Sequence, residues 1–353
     1  MPSRVLVTPA AFEHAHGLRV IERCKSLGLA VHRLPANRLS GLRGESERDT
    51  YRLAKSTLAV VVSPPSERRL QPIPPSADWQ FHLARGCPAH CQYCYLAGSL
   101  SGPPVTRVYA NLEEILAGLA DYEGHGRVTS PTPERSGEGT TFEASCYTDP
   151  LGIEHLTGSL SAAVGHFGAR LGSGLRFTTK FDDVEGLLSL DHRGCTRPRL
   201  SLNARPIVVG FEGGTASLER RLDALRRLAL PRDQGGGGYP VGLTIAPIMP
   251  IPGWREHYAE MLDGVAGVLD GVPEPDLTVE LITHRFTEGS KDVLMRWYPA
   301  TRLDMEEERR AVKRTRFGAR KYVYRREVMR ELRDFFEEAV AERLPAARIL
   351  YFT

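Results

Sequence analysis

The stretch Gly86–Leu96, Gly-Cys-Pro-Ala-His-Cys-Gln-Tyr-Cys-Tyr-Leu, constrains this chain more than any other. Cys87, Cys91 and Cys94 fall at C-x3-C-x2-C spacing in a loop that opens on a Gly and contains a Pro. So short a loop can aim three thiolates at one point. Cys thiolates are the donors that hold iron–sulfur clusters, and a [4Fe–4S] cube normally takes four of them. Three ligands leave one iron open to another molecule. Zinc sites usually carry paired C-x2-C elements or a nearby His pair, which this stretch lacks. His90 inside the loop keeps a zinc reading open, and a disulfide is the remaining competitor.

The chain around the loop alternates between two periodicities. Residues 4–8, 31–34 and 58–62 read as strands and 11–28 as a helix, so the first 76 residues are expected to form a small α/β domain. The Pro-rich run 64–76 reads as its linker. From about residue 79, strands are expected at 80–84, 141–146, 175–179, 199–203, 241–246 and 277–283. Helices are expected at 111–122, 154–167, 183–189, 216–229, 255–269 and 288–296. Six βα repeats with short apolar strands imply a parallel sheet with helices outside it. An open partial (β/α)6 barrel over 77–353 fits best, with doubly wound order as the alternative. Either arrangement puts the active site at the C-terminal ends of the strands, and the Cys loop follows the first of them. Residues 123–140, rich in Gly, Ser, Thr, Pro and charge, read as a flexible surface insertion, and Gly235 to Gly238 as a flexible turn.

Composition bounds the setting. The 353 residues are 41% hydrophobic and 25% charged, with a net charge of only +3. A nucleic-acid surface would therefore be a local patch and not a global field. Such a patch is present at 311–326, where Lys313, Arg314, Arg316, Arg320, Lys321, Arg325 and Arg326 occur with no acidic residue and Phe317, Tyr322 and Tyr324 are interleaved. Cations neutralise phosphates, and aromatic rings fill the space of an unstacked base. The competing reading is a solvated charged surface. The other three cysteines, Cys24, Cys146 and Cys195, are scattered, which is unlike a secreted disulfide framework. No apolar run approaches membrane-spanning length, and residues 1–10 lack a signal-peptide pattern. The expectation is a cytoplasmic protein without membrane contact.

The loop, with an aromatic residue beside its last Cys, resembles that of the radical S-adenosyl-L-methionine (SAM) enzymes, whose open iron is chelated by SAM. Further segments narrow the resemblance to one family among them. They include Phe-Glu-Ala-Ser-Cys-Tyr-Thr-Asp-Pro-Leu-Gly-Ile-Glu-His-Leu-Thr (142–157), Thr-Lys-Phe-Asp (179–182), Arg-Leu-Ser-Leu-Asn (199–203), Ile-Ala-Pro-Ile (245–248), Glu-Leu-Ile-Thr-His-Arg-Phe-Thr (280–287) and Gly-x-x-Lys-Tyr-Val-Tyr-Arg (318–325). Over nearly its whole length the chain resembles the spore photoproduct lyases, which repair DNA.

That resemblance implies a partial radical-SAM barrel with a small N-terminal α/β domain, a [4Fe–4S] cluster and SAM as cofactors, and damaged double-stranded DNA as partner. It also implies an external electron donor of flavodoxin or ferredoxin type. A 5′-deoxyadenosyl radical made from SAM would take a hydrogen atom from the thymine crosslink, which then fragments. Cys146 matches the cysteine that returns a hydrogen atom to the product, and Tyr93 and Tyr95 match the tyrosines that relay the radical back. Thr148, Lys180, Ser201 and Ala246 match SAM contacts. Arg316 and Phe317 match a wedge pair on a DNA-binding hairpin, with Arg320, Lys321 and Tyr324 nearby.

The chain departs from the family pattern at Tyr147 after the donor Cys, at Thr148 for Ser, and at Phe317 for Tyr. A related enzyme acting on another pyrimidine photoproduct or modified base is therefore the runner-up. In a different class, the runner-up is a nucleic-acid-binding protein with a structural or redox-sensing cluster. Cys24, within the helical pattern of 11–28, is read as a small core residue, and Cys195 as a bystander.

Overall fold

The structure, a computed structural model, describes every residue except Ser101, Ser130, Leu171 and Thr315, Arg316 and Phe317; for Glu134 only the backbone is described. Its contacts divide the chain into two units. One comprises residues 1–88, 100–179 and 185–197; the other comprises 89–99, 180–184 and 198–353.

In the first unit, five strands form one sheet in the order Ala30–Arg33, Arg4–Val7, Thr57–Val61, Thr106–Tyr109, Ala84–Arg85. The first four run parallel and the last is antiparallel. Val5, Val7, Leu58, Val60 and Val108 pack with Val20, Ile21 and Cys24 of the helix Ala15–Ser26. Cys24 is thus a small core residue, as expected. Strands alternate their side chains between faces, and the apolar ones of this sheet meet the apolar stripe of that helix.

A second set of strands in this unit carries the site. Ala77–Phe81 and Ser173–Thr179 each pair in parallel with Thr140–Ala144. The Pro-rich stretch read as a linker is structured. It holds the short helix Pro65–Arg68 and the strand Gln71–Ile73, which pairs antiparallel with Ala77–Phe81. Proline lacks an N–H but is accommodated on an outer strand, so this composition masked an edge strand.

The expected insertion at 123–140 is also packed. The Asp78 carboxylate, 1% exposed, accepts from the amides of Val128 (2.6 Å), Thr129 (2.9 Å) and Thr141 (3.0 Å) and from the Thr129 hydroxyl (2.6 Å). Arg135, from the 3-10 helix Pro133–Glu138, is buried and donates to the carbonyls of Pro75 (2.7 Å) and Ser76 (2.8 Å). A polar loop is held here by buried charge-assisted hydrogen bonds, which composition does not reveal.

In the second unit, residues 198–202 of the strand Thr196–Leu202 run parallel beside Val241–Ile248, which is followed in the sheet by Leu277–Thr283 and Arg348–Phe352, also parallel. The unit also contains the helices Leu218–Ala229, Trp254–Leu269 and Arg326–Arg343. The Gly235–Gly238 turn is fastened by amides of Gly236, Gly237 and Gly238 to the carbonyls of Pro231, Arg227 and Leu230. Among the described residues no helix is long and apolar enough to cross a membrane.

Burial pushes the Asp78 carboxyl up, but the hydrogen bonds from the Thr129 hydroxyl and the three amides outweigh it and hold the group well below the usual aspartate range. A folded value below the unfolded one gives stability that is present above about pH 4 and lost as pH falls further. Asp78→Asn is expected to cost about 2 kcal/mol at pH 7 and to shrink the loss of unfolding free energy between pH 5 and pH 2, read by urea titration.

Candidate active site

In the second unit, a two-residue ladder anchors the Cys loop. His90–Cys91 pairs antiparallel with Glu212–Gly213, with Cys91 opposite Glu212. The Gln92 amide donates to the Phe211 carbonyl (2.8 Å), and the Cys94 amide turns back onto the Cys91 carbonyl (3.3 Å). The Glu212 side chain is fully buried and draws the neighbouring chemistry together. It ion-pairs with Lys180 (3.2 Å) and Arg221 (2.6 Å), and the Tyr93 hydroxyl donates to it. Lys180 also donates to Ser201 Oγ (2.6 Å) and the Ala246 carbonyl (3.3 Å), and its Nζ lies 5.6 Å from the centre of the Tyr93 ring.

Three of the four expected SAM-contact residues therefore converge on one ammonium. One carboxylate against two cations leaves this cluster one net positive charge, the right sign for a ligand carboxylate. Burial pushes the Glu212 carboxyl up, but the two cations outweigh it and keep the group below the usual glutamate range. Burial, with the Glu212 charge beside it, holds the Tyr93 phenol well above its ordinary value, so it carries its hydrogen at neutral pH.

The first unit positions the remaining residues. Gly86 has φ +81°, and a Cβ there would come within 2.2 Å of the Val105 carbonyl oxygen, so only Gly fits before Cys87. The Lys55 ammonium donates to the Cys87 carbonyl. Cys146 lies just beyond the strand Thr140–Ala144, partly exposed, in a turn closed by the Thr148 amide on the Ser145 carbonyl (3.0 Å). The next residue's carbonyl, that of Tyr147, accepts from the Gly86 amide (2.8 Å).

The Tyr147 ring meets His82 edge-on at 5.0 Å and lies under the Arg85 guanidinium at 4.5 Å. Burial and the Arg85 charge push His82 down to about 4, so its ring is neutral at pH 7. The Thr148 hydroxyl is buried without a hydrogen-bond partner, an opening for a ligand at an expected SAM contact.

None of the six cysteines forms a disulfide. Among the described residues no three His, Cys, Asp or Glu side chains are gathered as metal ligands. The donor set of the loop, three thiols, nevertheless suits iron–sulfur ligation and gives no His pair for zinc.

The basic segment forms a hairpin, Arg310–Arg314 with Arg320–Tyr324, and the expected wedge residues Arg316 and Phe317 lie outside the described residues. Arg320 is exposed and Lys321 half-buried. Tyr324, expected at the DNA, is instead buried with the Arg310 guanidinium 3.8 Å from its ring centre, and it anchors the base of the hairpin.

Sequence reasoning missed Glu212 and Arg221. A signal for the second existed. In the helix Leu218–Ala229, Arg221 falls on the apolar stripe with Leu218, Leu222 and Leu225, and a cation there requires a buried partner.

The spore photoproduct lyase family profile matches residues 1–353. A spore photoproduct lyase of Geobacillus sp. (strain Y412MC61) is 40% identical, covering 100% of this chain and 99% of its own. The chain belongs to the spore photoproduct lyase family. The spore photoproduct lyase of Bacillus subtilis (strain 168) is 36% identical, covering 100% of this chain and 98% of its own. Two solved spore photoproduct lyases, one a mutant with bound AdoMet and dinucleoside spore photoproduct and one complexed with the dinucleoside, superpose with TM-scores of 0.90. Each is 39% identical and covers 100% of this chain and 99% of its own. The fold is thus the α/β radical-SAM partial barrel that the family resemblance implied, and not the doubly wound alternative that the βα repeats left open.

Glu212→Ala would leave Arg221 and Lys180 uncompensated. It is expected to cost about 3–5 kcal/mol in urea unfolding, part of which the double variant Glu212→Ala/Arg221→Met recovers.

Proposed function

We propose that this chain reverses a spore-photoproduct-type thymine crosslink in double-stranded DNA, using a [4Fe–4S] cluster and SAM. The observation that carries the reading is the hydrogen bond from the Gly86 amide to the Tyr147 carbonyl. It ties the turn bearing Cys146 to the residue that precedes Cys87. A thiol, a good hydrogen-atom donor through its weak S–H bond, is thereby held beside the start of the cluster loop.

In this reading Cys87, Cys91 and Cys94 hold the cluster. Lys180 and Ser201 bind the SAM carboxylate, the buried Thr148 hydroxyl gains its missing partner, and Ala246 offers its backbone. When bound, the two cofactors supply the carbon radical that starts the reversal. Cys146 gives a hydrogen atom to the thymine product, and Tyr93 and Tyr95 restore the radical. Glu212 keeps the Tyr93 hydroxyl engaged and Lys180 in place. An external one-electron donor of flavodoxin or ferredoxin type and a reducing cytoplasmic setting complete the scheme.

We place DNA on the C-terminal hairpin. Lys313 lies directly across from Lys321, and Arg314 across from Arg320. Like charges facing each other on a sheet are destabilising, and phosphates relieve that repulsion. A lesion lowers the cost of flipping the damaged bases out of the duplex.

With reconstituted protein, SAM and dithionite under anaerobic conditions, a spore-photoproduct dinucleotide is expected to return thymidylyl-thymidine, followed by chromatography. SAM cleavage with an intact lesion would refute the substrate. For duplex DNA, Lys313→Ala with Lys321→Ala is expected to lower the slope of log affinity against log salt by about 2, measured by fluorescence anisotropy.

A further inference from the structure

Three non-glycine residues among those described have positive φ: Ser145, Arg193 and Glu274. Arg193 and Glu274 are exposed, whereas Ser145 is 1% exposed and immediately precedes Cys146. At φ +58° its backbone is left-handed, a conformation that Gly adopts freely and other L-residues adopt at a cost. That single residue turns the chain out of the strand Thr140–Ala144, so Cys146 leaves the in-and-out alternation of the sheet and enters the turn.

The backbone and side chain of Ser145 are all engaged. Its amide donates to the Phe81 carbonyl (2.7 Å), its carbonyl accepts from the Thr148 amide (3.0 Å), and its hydroxyl accepts from the Leu83 amide (3.0 Å). With the Gly86 to Tyr147 bond, the turn is pinned at three points to residues 81–86, which lead into the cluster loop. The backbone bonds need no particular side chain. The bond to Leu83 needs an acceptor, and the Ser145 hydroxyl provides it.

We infer that Ser145 is a positioning residue for hydrogen-atom return: its hydroxyl, by holding the Leu83 amide, fixes where the Cys146 thiol stands when the thymine radical forms. The inference rests on the reading of Cys146 as the donor. In that step the S–H bond breaks, a C–H bond forms on the thymine methylene, and the unpaired electron passes to sulfur. A thymine radical not met promptly by the thiol is trapped by other species in solution, including the reductant.

The test compares Ser145→Gly, Ser145→Ala and Cys146→Ala in the anaerobic reaction, with folding checked by circular dichroism. Ser145→Ala removes only the hydroxyl, and Ser145→Gly removes the whole hydroxymethyl group while keeping the left-handed backbone free of strain. The readout is the ratio of thymine dinucleotide to trapped products among lesion consumed, which a general loss of stability or of rate does not move. Both Ser145 variants are expected to consume lesion and to lower that ratio about 10-fold, as for modest misplacement of a reacting group.

An unchanged ratio in both variants overturns the inference. So does a change in Ser145→Ala alone, which would assign the effect to backbone strain, or a folded variant that no longer consumes lesion. If Cys146→Ala itself leaves the ratio unchanged, the donor reading fails and this inference fails with it. A lowered ratio in Cys146→Ala with normal ratios in the Ser145 variants refutes the inference alone.

Discussion

A fully buried carboxylate set between two cations, Glu212 with Lys180 and Arg221, is the interaction on which the second unit depends. Removing a charge from water is costly unless an opposite charge and hydrogen bonds meet it. Arg221 satisfies the rest of its guanidinium on the carbonyls of Ser201 and Ala216 and on the Thr215 hydroxyl. Lys180 reaches Ser201 and Ala246. Glu212 thus pairs through its backbone with Cys91 of the cluster loop, while its side chain receives the Tyr93 hydroxyl and holds an ammonium. The surplus positive charge that remains has the sign that a ligand carboxylate requires, and a solved relative of the same fold holds bound AdoMet.

The first unit answers with backbone where the second uses charge. Gly86 is forced by the close approach of the Val105 carbonyl, Ser145 takes the left-handed turn, and Gly86 and Leu83 donate to the turn that bears Cys146. Tyr147, bulky and next to the thiol, spends its ring on His82 and Arg85. The residue at this departure from the family pattern thus packs beside the turn that bears Cys146.

Much of the site was legible because its chemistry is local. Three cysteines within eight residues stand out as one donor set, and Cys146 and Lys180 lie just beyond strand ends and Ser201 one residue before one, where α/β sheets place reacting groups. What was not legible depends on contacts between distant segments. Glu212 lies 32 residues from Lys180 and follows the helix Arg205–Phe211, which the periodicity did not reveal. Asp78 fastens residues 128 and 129 from 50 and 51 positions away, so a loop that reads as mobile by composition is held by burial. Tyr324 reads as an aromatic ready to stack on a base, and only the Arg310 guanidinium over its ring reveals it as a structural anchor. Pattern and propensity describe neighbours along the chain, and these three cases turn on neighbours in space.

The claim most worth testing is that Cys146 supplies the hydrogen atom that completes the thymine methyl group. Thiol hydrogens exchange with solvent, so the repair reaction should be run in deuterium oxide and the product dinucleotide weighed by mass spectrometry. The account predicts one deuterium in the restored methyl group, absent from the product of Cys146→Ala. A methyl group free of deuterium from the wild-type protein would contradict it.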